Sequence, residues 1–535
     1  MYSREIVERD TLNYFKGDSL ATNVWIDKYC LKDKDGNLLE NTPDDMHRRM
    51  AREFARIELK YKNPISEEEI YSLLKDFRYI TPGGSILYGL GNSHSISSLG
   101  NCFVIGNSAD SYGGILTTDQ EQVQLMKRRA GVGHDISHLR SKHTPVSNSA
   151  GSSTGAVSFM PRFSNSTREV AQDGRRGALM LSIDINHSDA SEFIESKSDS
   201  TKITGANISV KINDKFMHAV DNDLGDRNMK LWRKIVHQAW KSAEPGLLFI
   251  DTIHRESPAA CYGSNWLETS TNPCGEIPLC PYDSCRLLSI ILPAYIENPF
   301  TKEAWFNWEL FKQHVRIAQR LMDDIIDLEE EKIDAILAKI DSDVESEEIK
   351  AVERNLWIKI KTKLIQGRRT GLSGVGLADA LAMLGFRYDS DEGADFAEEV
   401  YKQLAVSAYK SSVEMAKERG CFPIWNYQFE KANPFLNRIT KQFDEESDFN
   451  YGYYGRRNIA ILTIPPTGTL ALMFKGSSGV EPVFQPIHKR RRKVNSDHPN
   501  KSFQDKNGDW WEEYPVIHYG FKQWYNTTIG EAPDE

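Results

Sequence analysis

The segment TSTNPCGEIPLCPYDSCRLL, residues 269–288, holds three of the chain's seven cysteines: Cys274, Cys280 and Cys285. The other four, Cys30, Cys102, Cys261 and Cys421, are scattered. An amide, Asn272, and a carboxylate, Glu276, stand beside Cys274, and the three alternate. In an extended segment, residues i, i+2 and i+4 share one face, so amide, sulfur and carboxylate are expected to project into one space. Such a set can react: a thiol as the reactive atom, a carboxylate as general base, an amide to hold a hydroxyl. Two plainer readings compete. Structural zinc sites use tight C-x-x-C pairs, whereas these cysteines stand six and five positions apart, so no metal site is assigned. His134, His138 and His143 read as loop or satisfied polar positions rather than ligands. Buried inert thiols are the other reading, and the company of Asn272 and Glu276 counts against it.

Other candidates lie in punctuated segments. In IPPTGTLALM, the residues Thr467, Gly468 and Thr469 follow a β-like run and precede a helical start. Free N–H groups and the helix dipole there favour phosphate, and the threonine hydroxyls add donors. Ser85 and Asn101 fall in a turn-rich stretch, 81–101, and are weaker candidates. Two patterns are decoys. GLSGVGLADAL has the glycine order G-x-x-G-x-G rather than the dinucleotide fingerprint, and reads as helix packing or a turn. HKRRRK at 488–493 reads as a solvated or internally paired run.

The elements that must position these residues follow from length and pattern. A chain of 535 residues, 40% hydrophobic and 27% charged, is a large α/β domain with helical additions, or two to three domains. A net charge of −10 argues against nucleic acid as a partner. Few cysteines, odd in number, suit a reducing cytoplasm. The charged N-terminus shows no signal peptide, and no apolar run approaches the roughly 20 residues that span a membrane. Met46, Met50, Phe54, Ile57 and Tyr61 form one face of a helix in a helical region over 1–95. Short β-like runs at 102–106, 179–185, 207–212 and 458–464, with helical stretches between, argue for parallel strands. Phe311, Val315, Ala318, Met322 and Ile325 mark another helix, and 327–361 reads as an exposed helical pair.

NPCGEIPL resembles the active-site segment of ribonucleotide reductases, most closely the adenosylcobalamin-dependent class. GNCFVIGNSADS, RRAGVGHDISHLR, GRRGALMLSIDI, RRTGLSGVGLADAL, IPPTGTLALM and SSGVEPVF resemble further family segments in the family's order, so the resemblance spans roughly residues 45–530. It implies a ten-stranded α/β barrel of two five-stranded parallel half-sheets around a central finger loop, with a helical N-terminal domain. The expected divisions are 1–95 (helical), 96–484 (barrel, with an effector segment at 102–185 and the finger near 274) and 485–535 (an incomplete barrel segment).

The resemblance also implies roles. Cys274 would carry a thiyl radical, Glu276 act as general base, Asn272 hold the ribose hydroxyls, and Cys102 with Cys285 form the redox pair. Cys261 and Cys280 match no catalytic position. Thr467, Gly468, Thr469, Asn101 and Ser85 would bind substrate. Asp110, Ser111, Arg140, Arg175 and Arg176 would bind a dNTP or ATP effector, with loop 174–180 relaying its identity. The implied cofactor is adenosylcobalamin. The implied partners are a ribonucleotide, a thioredoxin-like or other dithiol reductant, a C-terminal partner chain and a second copy in a homodimer. The sequence departs from the family by stopping before its last barrel strands and C-terminal cysteine pair, and by showing no complete N-terminal ATP-cone. The expectation is therefore a split or truncated catalytic chain with an incomplete barrel. Two alternatives stand beside it: the class with a separate metal-containing radical subunit, and a nucleotide-binding fragment inactive without its partner.

Overall fold

The computed structural model describes residues 1–170, 177–199, 201–222, 226–443, 449–494, 501–505 and 510–530. The N-terminal region is helical. Its helix Pro43–Glu58 starts where Pro43 occupies the first turn and the Asp45 carboxylate accepts from the Asn41 and Thr42 N–H groups, an arrangement that satisfies helix-end donors. Met46, Met50, Phe54 and Ile57 are fully buried along one face. Tyr61 lies beyond the helix end and donates its hydroxyl to Asp327 at 2.6 Å.

Five strands, Cys102–Val104, Gly131–Asp135, Leu179–Asp184, Asn207–Ile212 and Gly246–Phe249, pair in parallel in chain order. Helices connect them, as parallel strands require. One of the two expected half-sheets is thus present in full. A sixth strand, Ser284–Cys285, runs antiparallel on the outer side of the Cys102 strand.

The second half-sheet is smaller than expected. Leu287–Ile291 and Gly371–Val375 are parallel, and Ile80–Pro82 adds an antiparallel edge. The expected run 458–464 lies beside Gly371–Val375. It forms one parallel bridge, Leu372 to Leu462, and shares backbone hydrogen bonds on either side of it. The described residues therefore do not reach ten barrel strands. The strands Ile487–Val494, Phe503–Gln504 and Trp510–Ile517 form a three-stranded antiparallel sheet. In it, Lys489 and Arg491 pair with Glu513.

The strands Gly131–Asp135, Leu287–Ile291 and Gly371–Val375 are buried along their whole length, as parallel strands covered on both faces are. Long helices, Trp308–Ser342 and Asp391–Arg419, pack across the second half-sheet. The stretch 327–361 is a helical pair, but not a solvated one: Ile333, Ile336, Leu356, Trp357 and Ile360 join the core beneath the five-stranded sheet. The N-terminal region is tied on by a buried charge cluster. Arg419 contacts Glu58 at 2.6 Å, Asp324 at 2.8 Å and Asp323 at 3.1 Å, with all four side chains fully buried.

Candidate active site

Residues 270–279 form a hairpin, Ser270–Thr271 pairing with Pro278–Leu279. At its tip Asn272-Pro273-Cys274-Gly275 is a β-turn, closed by the Gly275 N–H donating to Asn272 O at 3.0 Å. Proline second and glycine last suit such a turn, and Gly275 has φ +82°. This corrects the expectation of an extended segment. Asn272 and Glu276 meet because the turn closes, not because they alternate. The Asn272 amide donates to the Glu276 carboxylate and, at 3.2 Å, to Cys102 Sγ; its Oδ1 accepts from the Ile277 N–H at 3.1 Å. Cys274, at the tip, is the one exposed cysteine of the seven.

The hairpin is seated by contacts from both half-sheets. Pro273 O accepts from Asn207 Nδ2 at 2.8 Å, the Ser270 and Ser182 hydroxyls lie 2.9 Å apart, and Thr463 Oγ1 donates to Glu276 O at 3.2 Å. Two strand glycines clear its path, and a third makes room for Cys285. A Cβ at Gly131 would meet Pro273, one at Gly133 would overlap Thr271 O, and one at Gly371 would strike Cys285 Sγ. GLSGVG is therefore neither helix packing nor a simple turn. Its first five residues are the strand Gly371–Val375, and Gly371 gives Cys285 room.

Cys102 and Cys285 sit directly opposite each other across the antiparallel pair. Partners in such a pair have Cα atoms about 4.5–5.5 Å apart, within the range that a disulfide spans. Both are thiols here. Burial pushes the Cys102 thiol well up, and the neighbouring Glu276, Cys285 and Cys274 add to the shift. Burial, then Glu276, likewise raises Cys285, while the Arg286 and Arg369 guanidinium groups oppose the rise. Burial raises the Glu276 carboxyl above its usual value, against the pull of the Asn272 amide. Cys274, Cys102, Cys285, Asn272 and Glu276 thus converge, as a set able to pass hydrogen atoms and protons. Cys280 is buried in an apolar cluster, and Cys261 is half-buried.

The remaining candidates are placed less decisively. Asn101 donates its N–H to Cys285 O at 3.0 Å, and its buried side-chain Oδ1 has no donor among the described residues. Ser85 is fully buried, with its hydroxyl 3.4 Å from Arg129 O. The Thr467 N–H and hydroxyl both donate to Ser478 O at 2.8 Å, and the Thr469 hydroxyl lies 2.9 Å from that of Tyr29. The helix they precede, Leu470–Phe474, has only five residues; Gly468, at φ +54°, faces open space.

Asp110 and Ser111 head the helix Tyr112–Met126, where Ser111 Oγ caps the Gly114 N–H. Arg140 reaches Asp110 through its N–H at 3.0 Å and its Nε at 2.7 Å. Those three expected effector residues therefore lie together. Arg175 and Arg176 lie outside the described residues. His134 is buried, pairs with Gln122 at 3.3 Å, and has its pKa pushed down by burial to about 3. Arg286, Arg369, Asp283 and Thr463 were not singled out in the sequence. Only their position behind the thiols or against the finger marks them.

Comparison with known proteins agrees with this geometry. Residues 15–95 match the family described as "Ribonucleotide reductase, all-alpha domain", and 100–230 with 227–516 match "Ribonucleotide reductase, barrel domain". A vitamin B12-dependent ribonucleoside-diphosphate reductase of Thermoplasma acidophilum is 31% identical over 535 residues, covering 87% of this chain and 63% of that protein. One from Mycobacterium tuberculosis is 29% identical over 484 residues, covering 87% and 62%. The chain thus spans less than two thirds of these relatives' length. Among solved structures, the class Id ribonucleotide reductase alpha subunit of Actinobacillus ureae superposes with a TM-score of 0.65 at 18% identity, covering 88% of this chain and 76% of that one, which supports the fold. With both domains matched in order and the barrel match covering most of its length, the chain belongs to the ribonucleotide reductase large-chain family.

Proposed function

We propose that this chain reduces ribonucleotides to 2′-deoxyribonucleotides by thiyl-radical chemistry, with Cys274 as the radical site. One observation carries the reading: the finger turn brings Cys274, Asn272 and Glu276 to a pair of facing thiols, Cys102 and Cys285. Cys274 Sγ, as a radical, takes the ribose 3′-hydrogen. Glu276 accepts the 3′-hydroxyl proton, a task suited to a carboxylate whose affinity for protons is raised by burial. Asn272 hydrogen-bonds the ribose hydroxyls and holds Glu276 in place. The 2′-hydroxyl leaves as water. Cys102 and Cys285 supply two electrons and two hydrogens and close to a disulfide, and Cys274 returns a hydrogen to C3′. Reductant then reopens the disulfide.

The relatives named vitamin B12-dependent support adenosylcobalamin as the cofactor, and the tip of the finger suits a bulky group. Cys274 is exposed there, and a Cβ built on Gly275 meets nothing within 4 Å. Bound there, the cofactor would supply the radical that Cys274 carries. Asp110, Ser111 and Arg140 form the proposed effector site, at the end of the helix Tyr112–Met126. The short second half-sheet, with Ile464 47% and Phe484 95% exposed, supports a further polypeptide completing the barrel. No described helix is long and apolar enough to cross a membrane.

The test is turnover of ribonucleoside di- and triphosphates with adenosylcobalamin and dithiothreitol, without a second metal protein. Deoxyribonucleotide formation is expected, from the chain alone or once a C-terminal barrel polypeptide is added. Effector binding without turnover under both conditions overturns the reading in favour of a nucleotide-binding fragment.

A further inference from the structure

Two side chains from outside the finger reach its main chain on either side of Cys274. Asn207, the first residue of the strand Asn207–Ile212, donates from Nδ2 to Pro273 O at 2.8 Å. Thr463, in the run beside Gly371–Val375, donates from Oγ1 to Glu276 O at 3.2 Å. Asn207 belongs to the first half-sheet, where it lies opposite Met180. Thr463 is held to the second, its N–H donating to Leu372 O at 3.1 Å. The two bonds therefore tie the tip to both half-sheets.

The tip has little of its own to hold it. The hairpin ladder consists of two residue pairs, Ser270 with Leu279 and Thr271 with Pro278, and an isolated two-stranded hairpin is marginal in water. In the turn, Asn272 O accepts from the Gly275 N–H, so Pro273 O stands outside the turn's own bond. Rotation of the Pro273–Cys274 peptide interconverts turn types and swings Cys274 with it; the Asn207 amide fixes that carbonyl. Immediately after Cys274, Gly275 has φ +82°, and a Cβ there would meet nothing within 4 Å. A glycine in open space has wide backbone freedom, and the Thr463 hydroxyl fixes the carbonyl on its far side. Such control matters because a 1 Å misplacement of reacting groups can cost about 10²-fold in rate.

We infer that Asn207 and Thr463 are positioning residues, a clamp of two side-chain donors that holds the finger tip so that Cys274 and Glu276 address the same ribose. The inference rests on the reading of Cys274 as radical site and Glu276 as base. Each clamp residue acts through a main-chain carbonyl, Asn207 through the peptide that leads into Cys274 and Thr463 through the carbonyl of Glu276 itself. Losing either bond leaves the hairpin formed but its tip free to move between the half-sheets.

The test compares variants that remove a donor at nearly constant size: Asn207→Asp and Asn207→Leu at one carbonyl, Thr463→Val at the other. Amide hydrogen exchange is measured on the full chain by mass spectrometry of the peptide over residues 270–279. Exchange there should be severalfold faster in each variant than in the wild type. In turnover, kcat should fall about 10–100-fold with KM unchanged. Thr463→Ser, which keeps the hydroxyl, should retain wild-type exchange and most of the turnover. Unchanged exchange or unchanged kcat overturns the inference. So does a raised KM at unchanged kcat, which would put these side chains on the substrate, and so do equal losses in Thr463→Ser and Thr463→Val, which would show packing by the methyl group. Should the variants of one residue fail to fold, those of the other decide. Wild-type rates in Cys274→Ser would instead overturn the radical-site reading, and the exchange measurement, which needs no turnover, would still show whether the clamp holds the tip.

Discussion

At the scale of single residues, the proposed chemistry depends on one exposed sulfur and one buried carboxylate. Cys274→Ser removes the only side chain at the tip able to carry a thiyl radical, so turnover should fall to background. Nucleotide binding, followed by equilibrium dialysis, should persist. Activity near wild type would remove the case for Cys274. Glu276 must be ionised to accept a proton, and its pKa lies above 4.5 because burial disfavours the charge. Activity should therefore rise with pH along an acid limb set by this raised pKa, and be lost as pH falls through it. Glu276→Gln should lower turnover by about 10²–10⁴-fold and abolish that limb. A pH–rate profile of the variant that keeps the same acid limb would exclude Glu276 as the base.

Secondary-structure elements determine whether these residues meet at all. The finger hairpin lies against Gly133 so closely that a Cβ there would overlap Thr271 O, and backbone cannot yield as a flexible side chain can. Gly133→Ala should displace the hairpin, costing about 1–3 kcal/mol in denaturant unfolding and most of the turnover. Unchanged stability and turnover would show that the hairpin is not seated on this strand. These glycines also explain which strands were hard to read. GVGHD and GLSGV have weak strand propensity, and neither was anticipated as a strand. Each pairs in parallel with its own neighbours, and the glycines admit the finger at one strand and the Cys285 sulfur at the other. NISVKI, by contrast, was anticipated over 207–212, and the structure gives it those bounds.

The whole molecule is a helical region and a barrel joined across buried polar groups, and this sets its response to acid. His47 and His134 are both fully buried, with pKa values pushed down by burial to about 3. His47 has no hydrogen-bond partner on either ring nitrogen among the described residues and packs edge-on to Phe77. Each histidine protonates near 6.5 when unfolded but resists protonation when folded. The stabilisation is therefore fully present above about pH 6.5 and falls as pH drops toward 3, by about 1.4 kcal/mol per pH unit for each histidine. Urea unfolding at pH 7.5, 6 and 5 should show this decline, and His47→Phe should reduce its slope. An unchanged slope in that variant would mean that His47 is solvated in the folded state.

The sequence by itself determined the local chemistry and the family. NPCGE with its neighbouring cysteines named the reactive groups, periodicity named the helical region, and the ordered motifs named the barrel, because residue types and spacing act over short distances along the chain. It also suggested a false reason for Asn272 and Glu276 meeting: alternation along a strand, where the structure has a turn. Only the tertiary structure decided that Cys102 and Cys285, 183 positions apart, face each other across a strand pair. The same holds for Gly371 clearing space for a sulfur. Those relations depend on which strand lies beside which, and strand neighbours are set by packing the whole sheet rather than by any residue's own neighbours in the chain.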